Sequence, residues 1–228
     1  MIRELLHSIK RKCTKLRLQP IRVFCLHHVS EQFDAESMSA CDWMQIDEFK
    51  RVILSMQHDG ITFISLSKAY AKICHDKCRT HKYAVLTFDD GYASLKRILP
   101  WLQENRIPVT LFINGKYLDG HSYRKKQKEQ YLTKEELFAL TSPLVEIGLH
   151  GWEHTDVSQM TQAEFEESIN RSVDLLNAHP RYIPFHAYTW GRHTPLTDRY
   201  LRDQQIIPVL VGGKKNYCDT KYIDREIL

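Results

Sequence analysis

Short apolar runs alternate with amphipathic segments along most of the 228-residue chain. Six of these runs have the length and the β-branched and aromatic content that are typical of strands. They span residues 21–27, 61–66, 83–88, 109–114, 145–150 and 206–211. Strands that alternate with helices favour an α/β architecture with a mostly parallel sheet, and they argue against a β-sandwich.

The segments between these runs carry helix patterns. Residues 46–58 place apolar side chains at helical spacing and stop before Gly60, and residues 92–105 predict a helix that ends before Pro108. Two further helices are predicted from capping boxes, in which a hydroxyl caps a backbone N–H group and a carboxylate returns the bond. These boxes are Thr133 with Glu136 and Thr161 with Glu164.

Together these elements predict a single domain, a distorted (β/α) barrel of the TIM-like type with about seven strands. We assign residues 21–228 to the barrel and residues 1–20 to a basic amino-terminal arm. In such a barrel the carboxyl ends of the strands meet on one face, where the active site lies. The polar segment 115–132 follows a predicted strand and is expected to be a loop insertion at that face.

Composition excludes some classes of protein. The chain is 43% hydrophobic, which is enough to bury a sizeable core. Its net charge of +4 is far from the concentrated basic face that nucleic-acid binding requires, so we expect no nucleic-acid partner. The six cysteines are too sparse for a disulfide scaffold and are expected to be mostly reduced thiols.

The amino-terminal arm bears on localisation. It contains six basic residues but no apolar run of the roughly seven to fifteen residues that a secretory signal needs. No stretch reaches the roughly 18 apolar residues of a membrane span, so we expect a cytoplasmic protein. The leucines and isoleucine among the basic residues leave one alternative to a solvated arm. In that alternative the arm contacts an anionic membrane surface as an interfacial helix, which makes the protein peripheral to the membrane.

Candidate chemistry collects at the ends of the predicted strands, where a parallel barrel would bring distant residues together. The groups are His27 and His28, Asp89 and Asp90, and His150 followed by His154. Two neutral imidazoles with one carboxylate suit a divalent transition metal and leave coordination positions open for catalysis. The second aspartate is then free to act as a general base on an attacking water.

Each motif also has a simpler explanation. The pair Asp89 and Asp90 followed by Gly91 could merely begin a helix, with Asp90 as its cap. The spacing of His150 and His154 could arise by chance, since the chain contains 12 histidines. Their coincidence at strand ends carries more weight than either motif alone.

Two segments, "LTFDDGYAS" and "EIGLHGWEH", resemble the metal-binding signatures of the polysaccharide deacetylases. This carbohydrate esterase family includes the chitin oligosaccharide, peptidoglycan and biofilm poly-N-acetylglucosamine deacetylases. The resemblance extends through "CLHHVS", "IDEFKRVILSMQHDGITFISLSKAY" and "IPVTLFI", and it covers roughly residues 21–192. The order of the motifs resembles that of the circularly permuted biofilm-type branch.

The resemblance implies a role for each of these groups. Asp90, His150 and His154 would be metal ligands, and Asp89 would be the catalytic base. His27 would protonate the departing amine. The residues alone leave His27 and His28 open, because the pleat of the strand decides which of them faces the site.

The third family signature is altered in this chain. The segment "HAYTWGRHT" has Thr189 where proline is expected, and Trp190 stands in for the aromatic residue whose backbone N–H stabilises an oxyanion. The arginine that usually orients the catalytic aspartate is absent from its place. Arg192 and Arg225 are the two candidate substitutes.

Four further side chains are predicted to bind substrate because they lie near the proposed ligands or near Trp190 in sequence. They are Tyr92, Trp152, His186 and Arg192. Aromatic faces stack on sugar rings, although core packing is the common fate of tryptophan, and loop histidines are usually solvated.

The resemblance implies a metal-dependent carbohydrate N-deacetylase. It would hydrolyse the N-acetyl group of an amino sugar in a poly- or oligosaccharide or its precursor and release acetate. Because no export signal is found, we expect a step in surface-polysaccharide assembly. The expected cofactor is a divalent metal ion, zinc first, with nickel, cobalt or iron as alternatives. One rival hypothesis is a carbohydrate-binding pseudoenzyme on the same barrel. Another is a zinc-binding interaction module built on Cys74 and Cys78, in "CHDKCRTH".

Overall fold

The computed structural model describes residues 18–35, 38–39, 42–77, 79–119, 130–218 and 220–228. The predicted arm lies almost entirely outside these residues. The strands are β1 (Ile21–Leu26), β2 (His28–Ser30), β3 (Trp43–Gln45), β4 (Ile61–Phe63), β5 (Lys82–Phe88), β6 (Val109–Ile113), β7 (Val145–Leu149), β8 (Tyr182–Ala187), β9 (Ile207–Val211) and β10 (Ile223–Ile227). The α-helices are α1 (Ile46–His58), α2 (Leu66–His75), α3 (Leu99–Glu104), α4 (Lys134–Phe138), α5 (Gln162–Leu176) and α6 (Pro195–Asp203).

Seven parallel strands close into a barrel, which confirms the predicted fold. The hydrogen-bonded order is β1, β10, β9, β8, β7, β6 and β5, and β5 pairs back to β1 along its length. The other edge of β5 is shared, because β4 pairs with its first residues and β6 with its last. A separate parallel pair, β2 with β3, lies beyond the end of β1.

The six apolar runs that were predicted as strands all form strands, although the second is shorter than expected. The run at 61–66 is extended only through Phe63, and Leu66 already begins α2 with Ser65 as its cap. The hydroxyl of Ser65 accepts the backbone N–H of Lys68, so the chain turns into a helix where apolar content alone suggested more strand.

Two barrel strands were not predicted. Strand β8 contains Pro184, which cannot donate to a ladder, and its register against β7 shifts between Ile147 and Leu149 to accommodate the extra residues. Strand β10 has the sequence "IDREI", whose charged residues hide its strand character. Its Arg225 is fully buried, so the charge is part of the barrel interior and not a sign of a loop.

The helix predictions hold with one difference. Helix α1 matches residues 46–58, and both capping boxes form, at Thr133 and Thr161. The segment 92–105 instead forms a 3₁₀ helix, Ala93–Arg97, followed by the short α3. Pro100 lacks a backbone N–H group, so it cannot donate the hydrogen bond that a continuous α-helix over this segment would need.

The core has two parts that follow the alternation of side chains along the strands. Residues such as Phe24, Leu86 and Leu111 belong to a cluster that includes apolar residues of α1, α3, α5 and α6, between the sheet and the helices. Residues one position away, such as Val23 and Val85, belong to a second cluster that also contains apolar residues of α2. None of the helices that the structure describes has the length and apolar character needed to cross a bilayer.

Candidate active site

A cavity of about 190 Å³ opens at the carboxyl ends of the barrel strands. Its lining includes both aspartates of the "DDG" motif and two of the predicted histidine ligands, together with His27 and Trp190. A larger cavity, of about 630 Å³, lies beside β2 and contains neither aspartate. The chemistry predicted from the sequence therefore belongs to the smaller cavity.

Asp90, His150 and His154 converge on one point in this cavity. The Nε2 atoms of His150 and His154 lie 3.3 and 3.2 Å from Oδ1 of Asp90. Asp90 has a left-handed backbone with φ of 70°, and Gly91 follows with φ of 81°, so the chain turns sharply after β5. The hypothesis that Asp90 caps a helix is wrong, because the following 3₁₀ helix begins at Ala93 with Tyr92 in the cap position and has no side-chain cap.

The hydrogen bonding of His150 leaves its Nε2 atom available. Its Nδ1 atom lies 2.7 Å from the carbonyl oxygen of Ala187, so Nδ1–H donates there and Nε2 carries a lone pair towards Asp90. Burial lowers the pKa of His154 to about 4, which keeps this ring neutral. Against the effect of burial, Asp89 and Asp90 raise the pKa of His150, so a metal ion bound there would displace its second proton. Neutral imidazoles are the form in which histidine binds metals.

The cavity fits a divalent metal ion. Oδ1 of Asp90 is buried and has no hydrogen-bond donor, which is costly for a carboxylate unless a cation satisfies it. This oxygen and two imidazole nitrogens form one of the candidate ligand groups in the described part of the chain. Two nitrogens with one carboxylate oxygen are a donor set that suits zinc and similar divalent ions.

Asp89 has a different environment from its neighbour. Its two oxygens accept hydrogen bonds from Nη1 and Nη2 of Arg225, at 2.6 and 2.8 Å, in the buried barrel interior. Burial by itself favours the neutral acid, but the guanidinium charge outweighs it and lowers the pKa of Asp89 to about 2. Arg225 is thus the arginine that orients Asp89. The competing candidate, Arg192, instead pairs with Asp156 at the surface.

The two early histidines face opposite directions. His27 lines the cavity, and its Nδ1 atom lies 3.8 Å from Oδ1 of Asp42. His28 stacks on Tyr92, with ring centroids 3.8 Å apart, and lines the larger cavity beside β2. The choice that the sequence left open is settled by the alternation of side chains at the end of β1.

The altered third signature forms a tight turn at the cavity rim. Trp190 has φ of 57° and an exposed ring, whose centroid is 4.9 Å from that of His154. Thr189, which stands where proline was expected, is buried, and its hydroxyl donates to the carbonyl oxygen of Thr155 at 2.5 Å. The hydroxyl therefore ties the Trp190 turn to the loop that carries His154.

The structure places the four predicted substrate-binding residues away from the cavity lining. Tyr92 is buried against His28, and Trp152 packs under Arg171, whose guanidinium carbon is 4.3 Å from the ring centroid. His186 is buried in the interior with neither ring nitrogen hydrogen-bonded, and burial lowers its pKa to about 3. Nearness in sequence to a ligand does not fix the direction of a side chain, and a role for these residues in substrate binding stays a prediction.

Other groups in the cavity were missed. Cys25 donates its thiol to Oδ2 of Asp89 at 3.5 Å, and Asp42 lies beside His27. Cys25 could have been found, since it lies two positions before His27 and so shares its face of β1. Nothing in the sequence around Asp42 indicates its partner.

The hypothesis of a zinc module gains no support. Cys74 is a free cysteine, and neither of the two candidate ligand groups in the described residues includes it. The other cysteine of that motif, Cys78, lies outside the described residues.

Comparisons with known proteins agree with this geometry. A family model described as polysaccharide deacetylase matches residues 76–206. The solved structure of IcaB from Ammonifex degensii is similar over 92% of each chain, with a TM-score of 0.77 and 24% identity. The Streptococcus pyogenes deacetylase PplD, solved in complex with acetate, is similar over 92% of this chain and 93% of its own, with a TM-score of 0.75 and 17% identity.

A curated protein is also similar in sequence. YxkH of Bacillus subtilis (strain 168), whose name assigns it provisionally to the polysaccharide deacetylases, is 23% identical over 152 residues. The match covers 66% of this chain and 52% of YxkH, so the chain spans about half the length of this relative. The family model covers more than half of the chain and includes both metal-binding signatures. This chain therefore belongs to the polysaccharide deacetylase family.

Proposed function

We propose that this chain is a metal-dependent N-deacetylase that hydrolyses the acetamido group of an amino sugar in a carbohydrate. The observation that carries the proposal is the division of partners between two adjacent acids. Asp89 is held by Arg225 and lies with Cys25 and His27, apart from the group of Asp90, His150 and His154. Asp90 instead presents a buried oxygen without a hydrogen-bond donor to the two imidazoles. One acid thus suits a metal ion, and the other suits proton transfer.

Asp90, His150 and His154 would hold the metal. A divalent ion bound there would supply Lewis-acid activation of the acetyl carbonyl and of the attacking water. We infer zinc first because the donor set is two nitrogens and one carboxylate, and nickel, cobalt and iron share this preference. All three ligands are almost fully buried, which would strengthen their interaction with a cation.

Asp89 and His27 would move the protons. Asp89 takes a proton from a water molecule as the oxygen of that water attacks the acetyl carbon. Arg225 keeps the carboxylate of Asp89 ionised and oriented. His27 gives a proton to the nitrogen as the carbon–nitrogen bond breaks. The balance is one water and one N-acetyl group giving one acetate and one amine, which is protonated in neutral solution.

The turn around Trp190 would complete the site. Its backbone N–H group is proposed to stabilise the negative charge on the carbonyl oxygen during attack, a role that does not depend on the side chain at this position. The cavity of about 190 Å³ is smaller than a typical ligand pocket of roughly 300–1,000 Å³. We infer that it admits the acetamido end of a sugar, while the rest of the carbohydrate lies outside.

One similar protein supports the reaction class. PplD is described as a deacetylase and was solved with acetate, the product that this proposal requires. An N-acetylated carbohydrate is accordingly the proposed substrate for this chain.

Two isosteric substitutions test the proposed division of roles. Asp89→Asn should retain metal binding and lose acetate release by about 10²-fold or more, because the base is removed. Asp90→Asn should weaken both metal binding and acetate release, because a neutral amide replaces an anionic ligand. Metal affinity is measured by titration calorimetry, and acetate release is measured on a panel of N-acetylglucosamine oligomers with zinc, nickel, cobalt or iron.

Two results would contradict the proposal. Equal metal affinity in Asp90→Asn and the parent protein would show that Asp90 is not a ligand of the metal. Oligosaccharide binding without acetate release under every metal would instead favour the pseudoenzyme hypothesis.

A further inference from the structure

A second cavity, which we call the lateral groove, continues from the active site down the outside of the barrel. It has a volume of about 310 Å³ and lies between α6 and the connection that joins β9 to β10. Gly191 and Val211 line both this groove and the catalytic cavity, so the two spaces meet at the rim. A molecule held in the catalytic cavity could therefore extend into the groove.

The groove exists because of a local departure from the repeating βα pattern. In its described part, residues 212–218 and 220–222, the connection from β9 to β10 contains no helix. The outer face of β9, including Pro208 and Leu210, is therefore covered by α6 on one side and left open on the other. The volume is in the range of small-ligand sites.

Three cations line the groove without a carboxylate partner in the described part of the chain. They are Arg202 at the end of α6, and Lys214 and Lys221 in the β9–β10 connection. All three side chains are exposed. By contrast, several other surface cations of this chain are paired, such as Lys96 with Glu136 and Arg97 with Glu31.

The two acids in the groove are already engaged by other groups. Asp198 accepts the hydroxyl of Tyr188 at 2.9 Å and lies 3.0 Å from Nδ1 of His193. Oδ1 of Asp224 accepts the backbone N–H groups of Gly212 and Lys214, at 2.8 and 3.1 Å. These carboxylates are thus held by Tyr188, His193 and two backbone N–H groups, and neither is paired with one of the three cations.

We propose that the lateral groove binds an anionic group, a phosphate or a carboxylate, carried by the carbohydrate whose acetamido group enters the catalytic cavity. Clustered Arg and Lys side chains in a concave site favour anions, through charge-assisted hydrogen bonds and a focused positive potential. The inference rests on the proposed deacetylase function and adds a substrate feature to it. No bond is made or broken in the groove.

The first test compares matched substrates in the metal-loaded protein. Acetate release is measured from a neutral N-acetylglucosamine oligomer, from N-acetylglucosamine 1-phosphate, and from a disaccharide of N-acetylglucosamine and glucuronic acid. We expect kcat/KM to be about tenfold higher for at least one anionic compound than for the neutral one, as three exposed cation contacts allow. The anionic compound with the higher kcat/KM shows whether the groove binds a phosphate or a carboxylate.

Substitution of the groove lysines then locates the effect. The double substitution Lys214→Gln and Lys221→Gln should remove most of the anionic preference, expressed as the ratio of kcat/KM values. Lys68→Gln, an exposed lysine of α2 outside every cavity described here, should leave that ratio unchanged. Raising the ionic strength from about 0.05 to about 0.5 M should reduce the ratio in the parent protein, since salt screens exposed charges.

Direct binding separates failure of this inference from failure of the proposed function. Calorimetric titration with N-acetylglucosamine 1-phosphate and with N-acetylglucosamine is performed on the parent protein and the double variant. Any affinity that arises from phosphate binding to the metal is the same in both proteins, because the substitutions leave the Asp90 group intact. Tighter phosphate binding that the double variant loses supports the groove even if no acetate is released. The disaccharide with glucuronic acid is titrated in the same way. Equal affinity for the neutral sugar and both anionic compounds, or anionic affinities that are unchanged in the double variant, overturn the inference.

Discussion

At the scale of single residues, Asp89 and Asp90 show how neighbouring acids acquire different chemistry. Both are almost fully buried, and burial alone would favour their neutral forms. The guanidinium of Arg225 stabilises the charge on Asp89, and His154 and His150, when protonated, stabilise the charge on Asp90 and hold its pKa well below its ordinary value. Each acid therefore depends on partners that lie far away in sequence.

The pair between Asp89 and Arg225 gives a prediction for stability. The pKa of Asp89 is lowered from 3.8 to about 2, so its stabilising effect is present above about pH 4 and is lost as the pH falls through 2. In Arg225→Gln the buried carboxylate loses its counter-charge, and its pKa should rise above the ordinary value. We expect a loss of about 3–5 kcal/mol at pH 7, measured by urea unfolding.

The pH dependence of this variant has a definite sign. Its stability deficit relative to the parent should shrink as the pH falls through the raised pKa, because the carboxyl then becomes neutral in the folded protein. Arg192→Gln is the matched control, since Arg192 is paired with Asp156 at the surface, and it should change stability little. A deficit that stays constant from pH 4 to pH 8 would contradict the explanation.

The two early histidines give a matched pair of substitutions. His27→Gln should lower kcat by about 10²- to 10⁴-fold, because the proposed proton donor is lost. His28→Gln should have a far smaller effect, because His28 stacks on Tyr92 outside the catalytic cavity. Both rates are compared at equal metal occupancy. Equal losses in the two variants would show that the direction of these side chains does not determine the proton donor.

At the scale of elements, the loop that carries His154 is held from two sides. Ser168 of α5 accepts the backbone N–H of Trp152 at 2.8 Å. On the other side, the hydroxyl of Thr189 donates to the carbonyl oxygen of Thr155. The capping box at Thr161 fixes the start of α5, so a local sequence signal contributes indirectly to the geometry of the site.

The contact between Thr189 and Thr155 can be tested with isosteric variants. Thr189→Val keeps the shape but leaves the partly buried carbonyl of Thr155 without its donor, which should cost about 0.5–1.5 kcal/mol in unfolding experiments. Acetate release should fall about tenfold or more, because the Trp190 turn is no longer tied to the loop. Thr189→Ser retains the hydroxyl and should keep most of the stability and most of the rate of acetate release. If valine and serine behave alike, the hydrogen bond does not position the turn.

At the scale of the whole molecule, a buried arginine joins chain segments at the barrel face formed by the amino ends of the strands. Arg79 is buried there and donates to four backbone carbonyl oxygens, those of Gln19, Lys72, Asp76 and Tyr217. These carbonyls belong to the approach to β1, the end of α2 and the connection before β10. One side chain thus joins three parts of the chain at the opposite end from the active site.

Removal of this guanidinium should affect stability and spare the chemistry. Arg79→Met keeps much of the buried volume but removes a donor from four carbonyls, of which only that of Lys72 keeps another described donor, the backbone N–H of Asp76. The expected loss is about 2–4 kcal/mol in thermal or urea unfolding. Arg199→Met, on an exposed position of α6, is the control. Folded Arg79→Met protein should keep its metal affinity. A large loss of that affinity would show that the two ends of the barrel are coupled.

Much of the fold and the ligand set follows from the sequence. Apolar runs located the central strands, and capping boxes located the starts of α4 and α5. The acids and histidines at strand ends identified the proposed metal group, because parallel strands bring their carboxyl ends to one face. Strand β8 escaped prediction because a bulge accommodates Pro184, and β10 because its interior residue, Arg225, is charged.

Tertiary structure alone decided which partners each group receives. Whether His27 or His28 enters the cavity depends on the pleat at the end of β1, and the burial of Tyr92 and His186 depends on packing that sequence proximity does not reveal. The choice of Arg225 over Arg192 depends on the closure of β10 against β1. Local patterns determine elements and the residue types at their ends, whereas strand pairing and closure determine which side chains meet.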